Sequence, residues 1–234
     1  MNVSRLEIPV TGYCVVADSY DNPDSKAILL SLIGWTSNRR RYSDILTHIT
    51  EQTGMSALVF DYSGHGDSPF DVDKTRPAQH FLEVICVFDW IKENYPNLQI
   101  NVMGLSYGGY MATQLTKYRE FQKLVLGAPA IYRPRDFYSY APDIRDAGLK
   151  DYRKDTDLLA KHPLLARASQ FKGNTLVIVH ERDEQIPTAT TDAFIKTFDA
   201  DVYTAKGLGH SFDSATTHET VEQYQTAIAN WLKS

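Results

Sequence analysis

Apolar residues along this chain fall into short extended runs that alternate with helical repeats. Two early extended segments, 5–9 and 13–18, flank Thr11-Gly12 and read as a hairpin. The run 27–33 is apolar on both faces, as in a parallel strand covered on either side. Tyr42, Ile45, Leu46 and Ile49 then follow helical spacing, and Gly54 is placed to end that helix. The alternation continues as strand 57–60, helix 81–91, strand 99–103, helix 110–118 and strand 124–126. Two further strands fall at 175–179 and 201–203. A last helix spans about 218–232, with Val221, Tyr224, Ile228 and Trp231 on one face.

Strands that alternate with helices build a mostly parallel sheet covered on both sides, with the hairpin as an antiparallel start. The reading is one α/β domain over 1–234, with no linker, repeat or low-complexity tract. One stretch breaks the rhythm. About 45 residues rich in Tyr, Arg and Asp separate the strand near Ala128 from the one at Thr175. Connections of that length carry function or their own elements. Residues 131–172 are therefore expected to form a small helical cap over the site, with 158–168 its clearest helix.

Composition removes several classes of function. The formal charge is −5 over 234 residues with both signs interspersed, so no basic stripe points to nucleic acid or an anionic membrane. The longest apolar runs are strand-sized, well short of the ~20 residues that span a bilayer. No leader pattern opens the chain, and the expectation is a cytoplasmic protein. Cys14 and Cys86 stand alone, without metal-ligand spacing, and read as buried thiols rather than a disulfide. No metal and no cofactor is expected, and the pattern gives no oligomeric state.

The strongest local signal is Gly104-Leu105-Ser106-Tyr107-Gly108, after a predicted strand and before a predicted helix. In that setting G-x-S-x-G is a strained turn that lifts a serine hydroxyl above the sheet. Gly104 and Gly108 give the turn room, and Gly109 lets the helix approach the sheet. A serine hydroxyl needs a base within hydrogen-bond reach, and the base needs a group to orient it. Among seven histidines, His48, His80 and His218 lie in helices or at their starts and read as solvated. His65, between glycines, reads as structural, and His180 as packed at a strand end. Glu181, Glu184 and Asp213 compete with Asp183 for the acid.

The order Ser106, Asp183, His210 resembles the nucleophile–acid–histidine order of α/β-hydrolases, and the likeness runs over nearly the whole chain. It implies the α/β-hydrolase fold, a mostly parallel sheet of about eight strands flanked by helices. Asp183, in His180-Glu181-Arg182-Asp183-Glu184-Gln185-Ile186-Pro187, matches the family's segment bearing the acid. His210, in Gly207-Leu208-Gly209-His210, matches the loop before the last helix, and the segment from Asp61 to Ser68 matches a further family loop. The resemblance makes Ser106 the nucleophile, His210 the base and Asp183 the orienting acid. Tyr107 and Trp35 would supply the oxyanion-hole amides, with Thr36 behind Trp35. Two departures stand out: Ile33-Gly34 replaces a usual His-Gly pair, and Glu181 replaces a frequent glycine.

Gly34-Trp35-Thr36-Ser37-Asn38-Arg39 with Gly64-His65-Gly66-Asp67-Ser68 is similar to small carboxylesterases of the cinnamoyl and feruloyl type. Ser106-Tyr107-Gly108-Gly109-Tyr110-Met111 is similar to prolyl-oligopeptidase-type peptidases, whose large extra domain has no room in 234 residues. The implied partner is a small soluble or aromatic ester. A peptidase, a thioesterase and a non-catalytic small-molecule receptor remain the alternatives. Tyr132, Phe137, Tyr138, Tyr140 and Tyr152 either contact such a substrate or only pack the insertion. Arg39-Arg40-Arg41 either attracts an anion or forms a solvated face.

Overall fold

The computed structural model describes residues 2–144, 148–212 and 216–234. Among them, eight strands form one sheet in the order β1-β2-β4-β3-β5-β6-β7-β8. The first two are β1 (Asn2–Pro9) and β2 (Cys14–Asp21), joined through Gly12, whose φ of 92° suits glycine. They pair antiparallel, and β2 also runs antiparallel to β4 (Ser56–Phe60). The rest are parallel: β3 (Ala27–Leu32), β5 (Gln99–Leu105), β6 (Lys123–Gly127), β7 (Asn174–His180) and β8 (Asp201–Ala205). Every residue of β3 and β4 is buried, which is why these strands read as near-continuous apolar runs, with Ser31 and Ser56 the polar exceptions.

Helices α1 (Ser43–Thr53), α2 (Pro77–Asn94) and α3 (Tyr107–Leu115) connect the central strands. Gly54 caps α1 in the left-handed region, as its position suggests. Both later helices begin earlier than their apolar repeats indicate. Pro77 opens α2, and α3 starts directly after Ser106 because Gly108 and Gly109 lie inside it. Between β6 and β7 the described residues form a 3-10 turn over Pro134–Tyr138 and four short α-helices: α4 (Ala141–Ile144), α5 (Gly148–Tyr152), α6 (Thr156–Ala160) and α7 (Pro163–Ala168). The single helix expected over 158–168 is two helices, since Pro163 starts a new one and His162 Nδ1 caps it. Helix α8 (Thr188–Phe198) has no counterpart in the apolar pattern, because two of its buried positions are Thr190 and Thr191. Helix α9 (His218–Lys233) packs against α1.

The cysteines differ from expectation. Cys14 is exposed where it opens β2 at the end of the hairpin, and Cys86 is half-buried on α2; both are free thiols. Among the described residues no helix is long and apolar enough to cross a membrane.

Candidate active site

The C-terminal ends of β3, β5 and β6 gather three residues in the left-handed backbone region: Thr36 (φ 59°), Ser106 (φ 53°) and Ala128 (φ 40°). Such strain persists only where surrounding structure fixes it. At Ser106 the fixing is visible. Its N–H donates to Gly127 O at 2.8 Å, and its carbonyl accepts from Gly109 N (3.0 Å) and Ala130 N (3.0 Å). The flanking glycines are required by contact rather than by torsion. A Cβ on Gly104 would meet Gly108 O at 2.2 Å, and one on Gly108 would meet Leu32 O at 2.0 Å.

Ser106 Oγ lies 2.9 Å from His210 Nε2, and His210 Nδ1 lies 2.8 Å from Asp183 Oδ2. A carboxylate only accepts, so Nδ1 carries the proton and Nε2 is left to accept from the serine. Asp183 Oδ1 accepts from the Gln185 and Ile186 amides, both at 2.8 Å. Burial pushes the Asp183 carboxyl up, but the His210 bond and those two amides outweigh it and hold it below the usual range. The loop that carries His210 is laced to the end of β7. Gly207 N–H donates to Glu181 Oε2 (2.7 Å), Arg182 N–H to Leu208 O (2.9 Å), and His180 Nδ1 to Gly209 O (2.9 Å). Glu181, a departure from the family pattern, thus braces the histidine loop. The rival acid Glu184 is exposed, and Asp213 lies outside the described residues.

The loop after β3 abuts the serine: a Cβ on Gly34 would lie 3.8 Å from Ser106 Cβ. Trp35 follows directly. Thr36 is no reserve oxyanion donor, because its N–H points to His65 Nε2 at 3.2 Å. The anchor missing from Ile33 is replaced by that bond and by Gly34 N–H, which donates to Tyr42 OH at 2.8 Å. His65 therefore braces the loop, in keeping with its structural reading.

His80 and Arg39 correct the expectation of solvated side chains. His80 is fully buried, stacked on Tyr62 (ring centres 5.1 Å apart), with Nδ1 2.8 Å from Tyr107 OH and Nε2 3.0 Å from Ser63 O. Burial pulls its pKa down to about 3. Arg39 is also buried, 2.6 Å from Asp61, 2.9 Å from Asp18 and 2.9 Å from Asp67. It ties the Asp61–Ser68 loop to the segment following Trp35. Arg40 is exposed and pairs with Asp67, while Arg41 is exposed at the rim of the cavity. His48 contacts Thr226 Oγ1, and only His218 of the three helix histidines is exposed. Apolar periodicity carries no trace of these tertiary pairings.

Ser106 and His210 open into a cavity of about 850 Å³, lined also by Trp35, Tyr132, Ile144, Leu149, Arg153 and Ile186. Among its described lining residues there is no aspartate or glutamate. The aromatic residues of the insertion take different places. Tyr132 lines the cavity, Phe137 packs on Phe81, Tyr152 leans on the core, and Tyr138 and Tyr140 face outward. Among the described residues no cluster of His, Cys, Asp and Glu could hold a metal ion.

Comparison with known proteins agrees with this architecture. The model of the family "Serine aminopeptidase, S33" matches residues 23–151. Proline iminopeptidase of Lactobacillus delbrueckii subsp. lactis is 27% identical over 101 residues, 43% of this chain and 33% of that protein. The match thus spans about one third of that relative's length. Among solved structures, Pyrococcus furiosus esterase Pf2001 superposes with a TM-score of 0.74 at 20% identity, over 99% of this chain and 92% of that one. Est1E from Butyrivibrio proteoclasticus, with ferulic acid bound, gives 0.74 at 16% identity over 97% of each chain. At such identities the likeness speaks for the fold alone. Because the family model covers more than half of its length, the chain belongs to the serine aminopeptidase S33 family of α/β hydrolases.

Proposed function

We propose that the chain is a serine hydrolase of small carboxylic esters, acting through an acyl-enzyme. The observation that carries this reading is the unbroken relay from Ser106 Oγ through His210 to Asp183, at 2.9 and 2.8 Å. His210 Nε2 takes the hydroxyl proton as Ser106 Oγ attacks the ester carbonyl carbon. The Trp35 and Tyr107 amides receive the developing oxyanion; Tyr107 opens a helix, so its N–H has no acceptor within that helix. His210 then returns the proton to the departing alcohol oxygen. Water repeats the sequence, with His210 as base, to free the acid and restore Ser106. Asp183 holds the imidazole tautomer and the imidazolium throughout. Residues 131–172 act as a cap that narrows the cavity, and two free thiols suit a reducing, cytoplasmic setting.

The matched family and the iminopeptidase relative favour a second reading, hydrolysis at a substrate's free amino terminus. The lining argues for the ester. An ammonium needs a carboxylate or a ring of carbonyls to replace its water. This cavity offers two arginines and, among its described lining residues, no carboxylate. Esters of 4-nitrophenol and of hydroxycinnamic acids, set against prolyl and other aminoacyl 4-nitroanilides, test the choice. Ester turnover that disappears in Ser106→Ala is expected. Anilide turnover exceeding ester turnover would overturn it.

A further inference from the structure

One side chain in this cavity, which the hydrolase reading above makes the substrate pocket, meets no carboxylate among the described residues. Arg153 follows α5, is half-buried, and lines the same cavity as Ser106. Its Nε donates to Ile131 O at 3.0 Å and its Nη1 to Gln185 O at 3.4 Å, while its guanidinium carbon sits 4.9 Å from the centre of the Tyr132 ring. Its own carbonyl accepts from Thr190 Oγ1 at 2.7 Å. The side chain is therefore pinned between the loops that follow β6 and β7, the second of which bears Asp183. Of the five N–H donors on a guanidinium, two are used among the described residues, and both go to neutral carbonyls.

The other arginines that are tied down contrast with it. Arg39 meets Asp18, Asp61 and Asp67; Arg119 meets Asp89; Arg133 meets Asp136. Arg153 meets no carboxylate among the described residues. A positioned, half-buried cation with donors left over is a receptor for an anion. Arg41, the other charged lining residue described, is also positive. Ile144, Leu149 and Ile186 offer apolar contact to the hydrocarbon between the anion and the ester.

We propose that Arg153 is a specificity-determining residue that binds a free carboxylate on the substrate, making this site selective for anionic esters. The carboxylate sits on the acyl or the alcohol part, and two substrate pairs separate these sources. The first pair is mono-4-nitrophenyl glutarate against 4-nitrophenyl valerate. The second is 4-acetoxybenzoate against its methyl ester. The chain is expected to prefer the charged member of one pair by about tenfold or more in kcat/KM, chiefly through KM, as one charge-assisted fork allows. Arg153→Gln should shrink that ratio to near unity, and Arg153→Lys should keep part of it, which a merely structural role would not do. Equal rates within both pairs, or a preference that survives Arg153→Gln, would overturn the proposal while leaving ester hydrolysis intact. Absence of turnover on all four esters would overturn the hydrolase reading itself.

Discussion

Replacing His80 with glutamine should flatten the acid limb of stability. The ring is fully buried and neutral, since Nε2 must donate to Ser63 O and Nδ1 must then accept from Tyr107 OH. Protonation would place a second N–H against that hydroxyl and a charge among the rings of Trp35, Tyr62, His65 and Tyr107. Burial first, and then the neighbouring His65, pull the His80 pKa down to about 3, against about 6.5 in an unfolded chain. The folded value is the lower one, so between the two the unfolded chain binds the extra proton. The contribution is complete above about pH 6.5 and drains as pH falls towards about 3. From about pH 7.5 to about pH 5 the linkage amounts to about 2 kcal/mol. Urea unfolding of both proteins at those two pH values, read as the difference of differences, isolates His80 from other acid-sensitive groups. His80→Gln is expected to start less stable, because Tyr107 OH and Ser63 O lose well-placed partners, but to lose about 2 kcal/mol less on acidification. Equal losses in the two proteins would refute the reasoning.

Two further substitutions test the site's construction. Asp183→Asn should leave the fold nearly intact and cut kcat on a good ester by about 10³–10⁴, because an amide favours the wrong imidazole tautomer; Glu184→Gln should cost less than about tenfold, and steady-state rates with circular dichroism as the folding check distinguish the two. Gly108→Ala drives a methyl group to 2.0 Å from Leu32 O in β3, so guanidinium unfolding should show a loss of about 3 kcal/mol or more, and a loss under about 0.5 kcal/mol would contradict the close approach.

Much of the central sheet was legible because each buried strand carries its own apolar run, and α9 because Tyr224 and Ile228 mark its inward face, which Gln225, Ala229 and Leu232 complete while Val221 and Trp231 stand at its edges. Ser106 was legible for a local reason: a strained turn demands small residues at fixed offsets, and Gly104 and Gly108 answer steric demands within a few residues. His210 and Asp183 followed from chain order and loop resemblance. What escaped depends on partners far away in sequence. Helix α8 buries threonines, so it shows no apolar stripe. His80 on its helix looks solvated until Trp35, Tyr62 and Tyr107 close around it, and Arg39 looks like part of a cationic run until three aspartates converge on it. Arg153 carries no motif at all; its meaning comes from the carbonyls of Ile131 and Gln185, which only the folded chain brings together.

The central claim is that Ser106 is a nucleophile activated by His210, and reaction with a fluorophosphonate probe tests it most directly. Intact mass and peptide mapping should show a single adduct on Ser106, formed in step with the loss of ester hydrolysis. Labelling should vanish in Ser106→Ala and slow by orders of magnitude in His210→Ala, with the double variant no worse than either alone, since the relay works as a unit. A folded protein that stays unlabelled at Ser106, or keeps its ester hydrolysis after Ser106→Ala, would contradict the account.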